Sequence, residues 1–329
     1  MKNKKKLMII IIAVVLALTL IGLGLFFYFT RYSTDTKDSE EFFRENITAV
    51  GYENTIETAY PQTKLYSIIN EHFRSEPEEG KTEKKVALIG FDGCRADILN
   101  EAQKENSAVS YLLKNGSSNN LTYCGGVNYP AENTQATSTA PGWCSILTGA
   151  WADSHKITGN GITKELEPKT LMTSLIEEKV IDDAAFITKW KGHFSRNNAT
   201  YNIEKAYCED NSIDVDFNLR SGKKDIHTGA MAEVTSADCA DFVFIIYEDT
   251  DSAGHDFGFT YNNPAYKDGF RTEDAYAYEV IKAIEARDTY ETEDWLIIIT
   301  SDHGGINTDH GGASIQERMT FVIMNREWK

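Results

Sequence analysis

Beyond residue 29 this chain has no run of basic residues. Lys2, Lys4, Lys5 and Lys6 form its one basic cluster, and the chain as a whole carries a net charge of −17. That excludes recognition of nucleic acid through a basic face. A long polyanion is also a poor partner unless bound metal reverses the local field. Cysteine is scarce: Cys94, Cys124, Cys144, Cys208 and Cys239 are the five, and none stands in a C-x-x-C pair. A cysteine zinc knuckle is therefore unsupported. The odd number leaves at least one thiol without a partner in the chain. Pairing of Cys208 with Cys239 is one reading, and a set of buried free thiols is the other. The hydrophobic share of 41% and charged share of 25% are ordinary for a globular protein.

Charge is also absent from residues 7–29, a stretch of 23 residues. At about 1.5 Å per residue a helix of that length crosses a hydrocarbon core. Four lysines precede it; Arg31 and Lys37 follow and are diluted by Asp35, Asp38, Glu40 and Glu41. The positive-inside bias places the N-terminus in the cytoplasm and the remainder outside. A cleaved signal peptide is the rival reading, but the stretch is long for one and no A-x-A site follows. The expected organisation is a cytoplasmic tail (1–6), a single-pass signal anchor in the cell membrane (7–29), a stalk and docking segment (30–84) and a catalytic domain outside the cell (85–329). Within the stalk, Leu65, Ile68, Ile69 and Phe73 recur at helical spacing.

From residue 84 the rhythm changes. Short continuous apolar runs occur at 86–91, 184–188, 242–247, 295–300 and 320–324. Such runs mark strands covered on both faces. Helical patterns lie between them at 170–179 and 272–287. Alternation of this kind predicts an α/β fold with a mostly parallel central sheet flanked by helices.

Three of the runs end in residues that bind metals. The first leads into Asp92. The third leads into Glu248-Asp-Thr-Asp251, followed by Gly254-His255. The fourth leads into Ser301-Asp302-His303, with His310 seven residues later. Sites in open α/β sheets gather beyond the carboxyl ends of the strands. Asp92, Asp251, His255, Asp302, His303 and His310 are thus expected to converge. Singly, each has an ordinary explanation: a turn, a cap or a chance spacing. Jointly they describe a metal centre, and a mixed carboxylate and imidazole set suits Zn²⁺, with Mn²⁺ or Fe²⁺ as alternatives. In the segment 137–149, Pro141 fits the first turn of a helix and puts Thr139 at or beside the N-cap. A capping hydroxyl is the plain reading. A hydroxyl at a helix N-terminus beside a metal is also an activated nucleophile.

These motifs resemble the alkaline phosphatase superfamily, and within it the nucleotide pyrophosphatase/phosphodiesterase branch. The family's Thr-x-Pro-x-x-x-Ser/Thr-x-x-Thr-Gly stands here as Thr139-Ala-Pro-Gly-Trp-Cys-Ser145-Ile-Leu-Thr148-Gly149. Its Asp-Ser-Ser-Gly-His stands as Asp251-Ser-Ala-Gly-His255, and its Ser-Asp-His-Gly as Ser301-Asp302-His303-Gly304. The resemblance implies that Thr139 is the nucleophile and that Asn160 holds a phosphoryl oxygen. It implies one metal on Asp251, His255 and His310, and a second on Asp92, Thr139, Asp302 and His303. It further implies hydrolysis of a small phosphate ester through a phosphothreonine intermediate, with backbone amides after Thr139 sharing the developing charge.

The chain departs from the family pattern at Ala140 and Gly142, where a bulky aromatic and an Asn are usual; small residues there are expected to widen the entrance or to leave it to other loops. The monoesterases of the superfamily carry an Arg shortly after the nucleophile, whereas no Arg or Lys lies between Thr139 and His155. A diester, pyrophosphate or phosphonate is therefore favoured over a monoester. Lys189, just after the second run, is either a surface charge or a group that reaches the site. The Cys/Ser-x-Pro-x-Arg signature of sulfatases is missing. Two readings from other classes stand beside the hydrolase. One is a head-group phosphotransferase acting on a surface glycan. The other is an inactive scaffold, which the complete ligand set argues against.

Overall fold

Every one of the five apolar runs becomes a strand, because each can be buried on both sides at once. The computed structural model describes residues 2–31, 38–48, 50–102, 105–115, 118–125 and 135–328. Its strands are β1 (Tyr60–Pro61), β2 (Glu83–Phe91), β3 (Ser118–Tyr123), β4 (Ala184–Thr188), β5 (Val215–Leu219), β6 (Phe242–Tyr247), β7 (Glu293–Thr300) and β8 (Met319–Met324). They form an eight-stranded sheet in the order β1-β3-β8-β7-β2-β6-β4-β5. Pairing is parallel except where β8 runs against β3 and β7. At the centre, β2 pairs with β6 on one side (Ile89 with Ile245) and with β7 on the other (Ile89 with Ile299).

The helices are α1 (Lys2–Arg31), α2 (Glu40–Thr48), α3 (Lys64–Arg74), α4 (Ala108–Lys114), α5 (Thr139–Thr148), α6 (Ala152–His155), α7 (Leu171–Glu177), α8 (Asn202–Asn211), α9 (Lys223–Val234), α10 (Asp249–Phe257), α11 (Pro264–Glu285) and α12 (Ile315–Arg318). Alternate residues of the central strands serve opposite layers, as the period-2 geometry of a strand requires. Ala87, Ile89, Val243, Ile245, Ile297 and Ile299 face α4, α9 and α11. Val86, Leu88, Phe244, Ile246, Leu296 and Ile298 face α3, α5 and α7. The helical spacing at 65–73 appears as α3, whose Leu65, Ile69 and Phe73 are buried in the second layer.

Strands β1, β3 and β5 have no apolar run to announce them. β3 reads Ser-Asn-Asn-Leu-Thr-Tyr, yet it is buried between β1 and β8, and part of its polar set finds partners: Leu121 N donates to Asn54 Oδ1 (2.8 Å), and the hydroxyls of Thr122 and Thr320 lie 2.9 Å apart. All five cysteines are buried and free. The pairing of Cys208 with Cys239 is thus not formed. Cys208 lies beside Thr173 of α7, whereas Cys239 belongs to the layer on the other side of the sheet.

Helix α1 carries the uncharged stretch, and Leu16, Leu18, Leu20 and Ile21 on it are each more than half exposed. Among the described residues no helix is long and apolar enough to cross a membrane. The expected span at 7–29 lies partly outside them, since side chains are described without a break only over residues 10–25. Further along, α2 packs Phe43 and Ile47 against Ala96, Leu121 and Met319.

Candidate active site

The C-terminal ends of β2, β6 and β7 bring the six predicted side chains into two adjoining groups. Asp251, His255 and His310 form one; Asp92, Asp302 and His303 form the other. In the first, His255 Nε2 lies 3.6 Å from Asp251 Oδ2, and His310 Nε2 lies 3.8 Å from Asp251 Oδ1. In the second, His303 Nε2 lies 3.5 Å from Asp92 Oδ1 and 3.4 Å from Asp302 Oδ2. The rings of His303 and His310 join the groups, with centroids 4.1 Å apart.

Local backbone explains the convergence. Asp92 directly follows β2 and is tied by its N–H to Tyr247 O at the end of β6 (2.9 Å). The chain then turns at Gly93 with φ +64°, where any Cβ would lie 2.6 Å from Asp251 Oδ1. Only glycine permits this turn and this approach together. The first turn of α10, which carries Asp251, is capped by Glu273 of α11, which accepts from the N–H groups of Asp249 and Thr250. Thr250 Oγ1 in turn donates to Asp92 O (2.9 Å).

Each imidazole is oriented through its other nitrogen. Nδ1 lies 3.0 Å from Thr308 O in His255, 2.7 Å from Gly304 O in His303 and 2.9 Å from Thr137 O in His310. A carbonyl only accepts, so each Nδ1 carries the proton and each Nε2 is left to face the carboxylates. This is the arrangement of metal-binding histidines.

The electrostatics call for cations. Asp251 Oδ1 and Asp302 Oδ2 are buried with no hydrogen-bond partner. Burial, then the charge of Asp92, pushes the Asp302 carboxyl well above its usual range and lifts Asp251 to about 6. Burial also opposes protonation of His303, but Asp302 and Asp92 outweigh it and raise that imidazole to about 10. Burial and the neighbouring His303 and His255 push His310 down to about 3. Three crowded carboxylates, two of them with an orphaned oxygen, are costly alone and favourable around divalent ions. The oxygen and nitrogen donors suit Zn²⁺, Mn²⁺ or Fe²⁺.

Thr139 lies between these groups and the start of α5. Its Oγ1 is 3.4 Å from Asp92 Oδ1 and 3.5 Å from His303 Nε2. Ser138, not Thr139, is the N-cap residue, so the Thr139 hydroxyl is not used in capping. Asn160 is exposed, and its Oδ1 accepts from Ala140 N (2.9 Å). Its Nδ2 is left as the donor for a substrate oxygen.

Two expectations are corrected here. Backbone amides after Thr139 are not available to a developing charge: Ala140 N is held by Asn160, Pro141 has no N–H, and Gly142 N donates to Ser138 O (2.9 Å). Nor do Ala140 and Gly142 widen an entrance. Ala140 is fully buried in the core layer, and a Cβ on Gly142 would lie 2.8 Å from Asp302 Cβ. Gly142 lets α5 approach the end of β7. Lys189 is partly buried at the rim, with its ammonium 3.8 Å from Glu248.

Several supporting residues escaped the sequence reading. Trp143 is fully buried and donates its indole N–H to Asp92 Oδ2 (3.1 Å). Ile157 N donates to His155 Nδ1, so His155 Nε2 holds the proton and donates to Ser145 Oγ (3.2 Å), which donates to Gln135 Oε1 (2.9 Å). That chain ties α5 to the loop leading to Asn160. Trp143→Phe should therefore cost about 1–3 kcal/mol in thermal unfolding. It should also weaken metal binding at the Asp92 group by roughly 10–100-fold. Metal titration of the purified variant checks this, and an unchanged affinity would show that Trp143 only packs.

A profile of type I phosphodiesterases/nucleotide pyrophosphatases matches residues 86–321 of this chain. The chain belongs to that family. With it the protein falls in the alkaline phosphatase superfamily. Among solved structures, murine ectonucleotide pyrophosphatase/phosphodiesterase 5 is similar at 19% identity, over 67% of this chain and 57% of that one, with a TM-score of 0.47. The C-terminal periplasmic domain of EcEptC from Escherichia coli, in complex with Zn, is similar at 14% identity over 75% and 74%, with a TM-score of 0.46. A mutant TAB5 alkaline phosphatase with Mg bound matches at 12% identity over 74% and 92%, with a TM-score of 0.45. The chain spans a little over half the length of the ectonucleotide pyrophosphatase/phosphodiesterase structure it matches.

Proposed function

We propose that this family member is a two-metal phosphodiesterase that acts outside the cell through a phosphothreonine on Thr139. The observation that carries the reading is the placement of the Thr139 hydroxyl, 3.4 Å from Asp92 and 3.5 Å from His303, at the meeting of two carboxylate–imidazole groups. Divalent ions, Zn²⁺ first and Mn²⁺ or Fe²⁺ as alternatives, would be held by Asp251, His255 and His310 and by Asp92, Asp302, His303 and Thr139. They would supply the positive charge that lowers the pKa of the hydroxyl and draws in a phosphoryl oxygen. Thr139 Oγ attacks phosphorus and the ester alcohol departs. Water then frees the threonine. Asn160 Nδ2 donates to a non-bridging oxygen, and Trp143 keeps Asp92 aimed throughout.

A diester or pyrophosphate fits better than a monoester. The second charge of a monoester needs a free cation near the nucleophile. No Arg or Lys lies between Thr139 and His155, and Lys189 is engaged with Glu248. Support for a single-pass anchor with a cytoplasmic N-terminus comes from the four lysines ahead of an uncharged stretch and from the exposed apolar side chains of α1.

The test is a panel of p-nitrophenyl monoester, diester, phosphonate and sulfate substrates with the metal-loaded full chain. The expected result is a kcat/KM for the diester at least tenfold above the others. A monoester turned over as well as the diester overturns the substrate choice. Transfer of phosphate to an added acceptor alcohol, in place of water, would make the enzyme a phosphotransferase.

A further inference from the structure

Glycine stands beside two of the candidate ligands: Gly254 precedes His255, and Gly304 and Gly305 follow His303. The missing side chains make room for two buried groups. A Cβ on Gly254 or on Gly305 would run into the ring of Phe259, and a Cβ on Gly304 would lie 3.0 Å from Arg95 Cγ. Phe259 is fully buried, wedged between the two loops. Its ring stands edge-on to His255 and His310, at 5.3 and 6.1 Å between centroids, and those two imidazoles are themselves 4.9 Å apart. Both backbone polar groups of Phe259 are held. Its N–H donates to Asn307 O (2.6 Å) in the loop that carries His310, and its carbonyl accepts from Arg95 Nη1 (2.5 Å).

Arg95 is fully buried just beyond the C-terminal end of β2. Its Nε and Nη2 fork onto Asp97 (3.0 and 2.7 Å). Its Nη1 also pairs with Asp38, whose side chain is fully buried just ahead of α2. The charge sits 5.1 Å from the buried ring of Phe43 in α2. The same segment is fastened at two further points: Tyr52 Oη donates to Ala96 O (2.9 Å), and Asn100 Nδ2 donates to Asn46 O (2.6 Å). Arg95 N donates to Tyr266 Oη (3.0 Å), which donates to Gly93 O (2.6 Å) beside Asp92. One guanidinium thus joins α2, the loop of Asp92 and the Phe259 wedge. A buried cation keeps its place only while it is paired. Asp97 occupies Nε and Nη2, so Asp38 is the carboxylate that aims Nη1, the nitrogen that holds Phe259.

We propose that Arg95 and Phe259 are positioning residues for the metal group of Asp251, His255 and His310, and that Asp38 at the head of α2 sets their aim. The proposal rests on the reading of those three side chains as metal ligands. Hydrogen bonds at Nδ1 fix how each imidazole is turned. The wedge fixes how far apart the two loops carry them, and a metal centre needs its ligands held within about 0.5 Å. The group of Asp92, Asp302 and His303 has supports of its own, the Trp143 indole on Asp92 and Gly93 N on Asp302.

The experiment is a Zn²⁺ titration of the full chain against a chromogenic chelator, with apo melting temperatures read in EDTA. His310→Ala and Asp302→Asn identify which binding step belongs to which group. Phe259→Leu and Asp38→Ala should weaken the step lost in His310→Ala by roughly 10–100-fold and leave the other step as it is. Asp38→Asn, whose amide oxygen still accepts from Nη1, should restore most of the loss. Phe321→Leu, an equally buried ring on β8 in the same layer, is the comparison for plain loss of packing. It should lower the melting temperature and leave both steps unchanged. An unchanged step in Phe259→Leu or in folded Asp38→Ala, or equal weakening of both steps, overturns the proposal and leaves the ligand reading intact. Phe259→Leu removes no hydrogen bond, so it decides the outcome if Asp38→Ala fails to fold. A native chain that binds no Zn²⁺ at the His310 step overturns both.

Discussion

Thr139→Ala should lower kcat/KM for bis-p-nitrophenyl phosphate by at least about 10³-fold, close to 4 kcal/mol at 1.36 kcal/mol per factor of ten. The structure gives reasons to expect this loss without unfolding. The Thr139 hydroxyl caps nothing, since Ser138 occupies the N-cap of α5. Alanine removes the hydroxyl and the small Cγ2 methyl but leaves the backbone as it is, and Ala140 N keeps its bond to Asn160. The carboxylate–imidazole contacts of Asp92, Asp302 and His303 do not run through Thr139. Melting temperature and metal content should therefore stay near the native values while the nucleophile is gone. Thr139→Ser, which restores a hydroxyl on a smaller side chain, should recover part of the rate. Undiminished turnover in the alanine variant would end the assignment of Thr139 as nucleophile.

The fold was readable wherever burial on both faces forced a continuous apolar run, as at β2, β4, β6, β7 and β8. It was unreadable where a different bond satisfies the backbone's surroundings. β3 is buried between β1 and β8 although four of its six residues are Ser, Asn or Thr, and Asn54 and Thr320 meet some of its polar groups from distant segments. β5 is an edge strand whose side chains are only partly covered, so it has no need of an apolar run. β1 is two residues long and leaves no pattern at all.

The candidate site was legible for a related reason. Asp92, Asp251, Asp302 and His303 all lie within four residues of the end of an apolar run, so strand ends alone point to their meeting place. The residues that aim them carry no such mark. Trp143 looks like any core aromatic on α5, and its hydrogen bond to Asp92 spans 51 positions. Glu273 sits in the middle of α11, where a charged residue normally faces solvent, but here it is buried and caps α10. Gly142 reads as a missing side chain, whereas in three dimensions it is the contact that lets α5 touch Asp302. Spacing along a chain reports which groups share an edge. It does not report which groups hold them there.

Asp302→Asn should separate metal binding from protein stability. In the native chain Asp302 Oδ1 accepts from Gly93 N (3.2 Å), and the buried Oδ2 has no hydrogen-bond donor. Asparagine keeps the first bond and replaces the second oxygen with an amide nitrogen, which cannot bind a cation. Metal affinity at that group should fall by more than the roughly 10–100-fold that loss of a supporting outer group costs. Elemental analysis should then find about one metal per chain in place of two. His310→Ala should do the same to the group of Asp251 and His255. Without metal the order reverses. The native apo chain must bury Asp302 beside Asp92, and burial first, then that neighbouring charge, pushes its carboxyl up. Asp302→Asn removes the repulsion, so its apo form should melt above the native apo form. With metal added the native chain should melt higher, because ligand binding to the folded state stabilises by mass action. Thermal melts of both proteins, with EDTA and with Zn²⁺, would show the crossing. Two metals per chain in either variant, or melting curves that keep the same order in both conditions, would remove Asp302 and His310 from the ligand set.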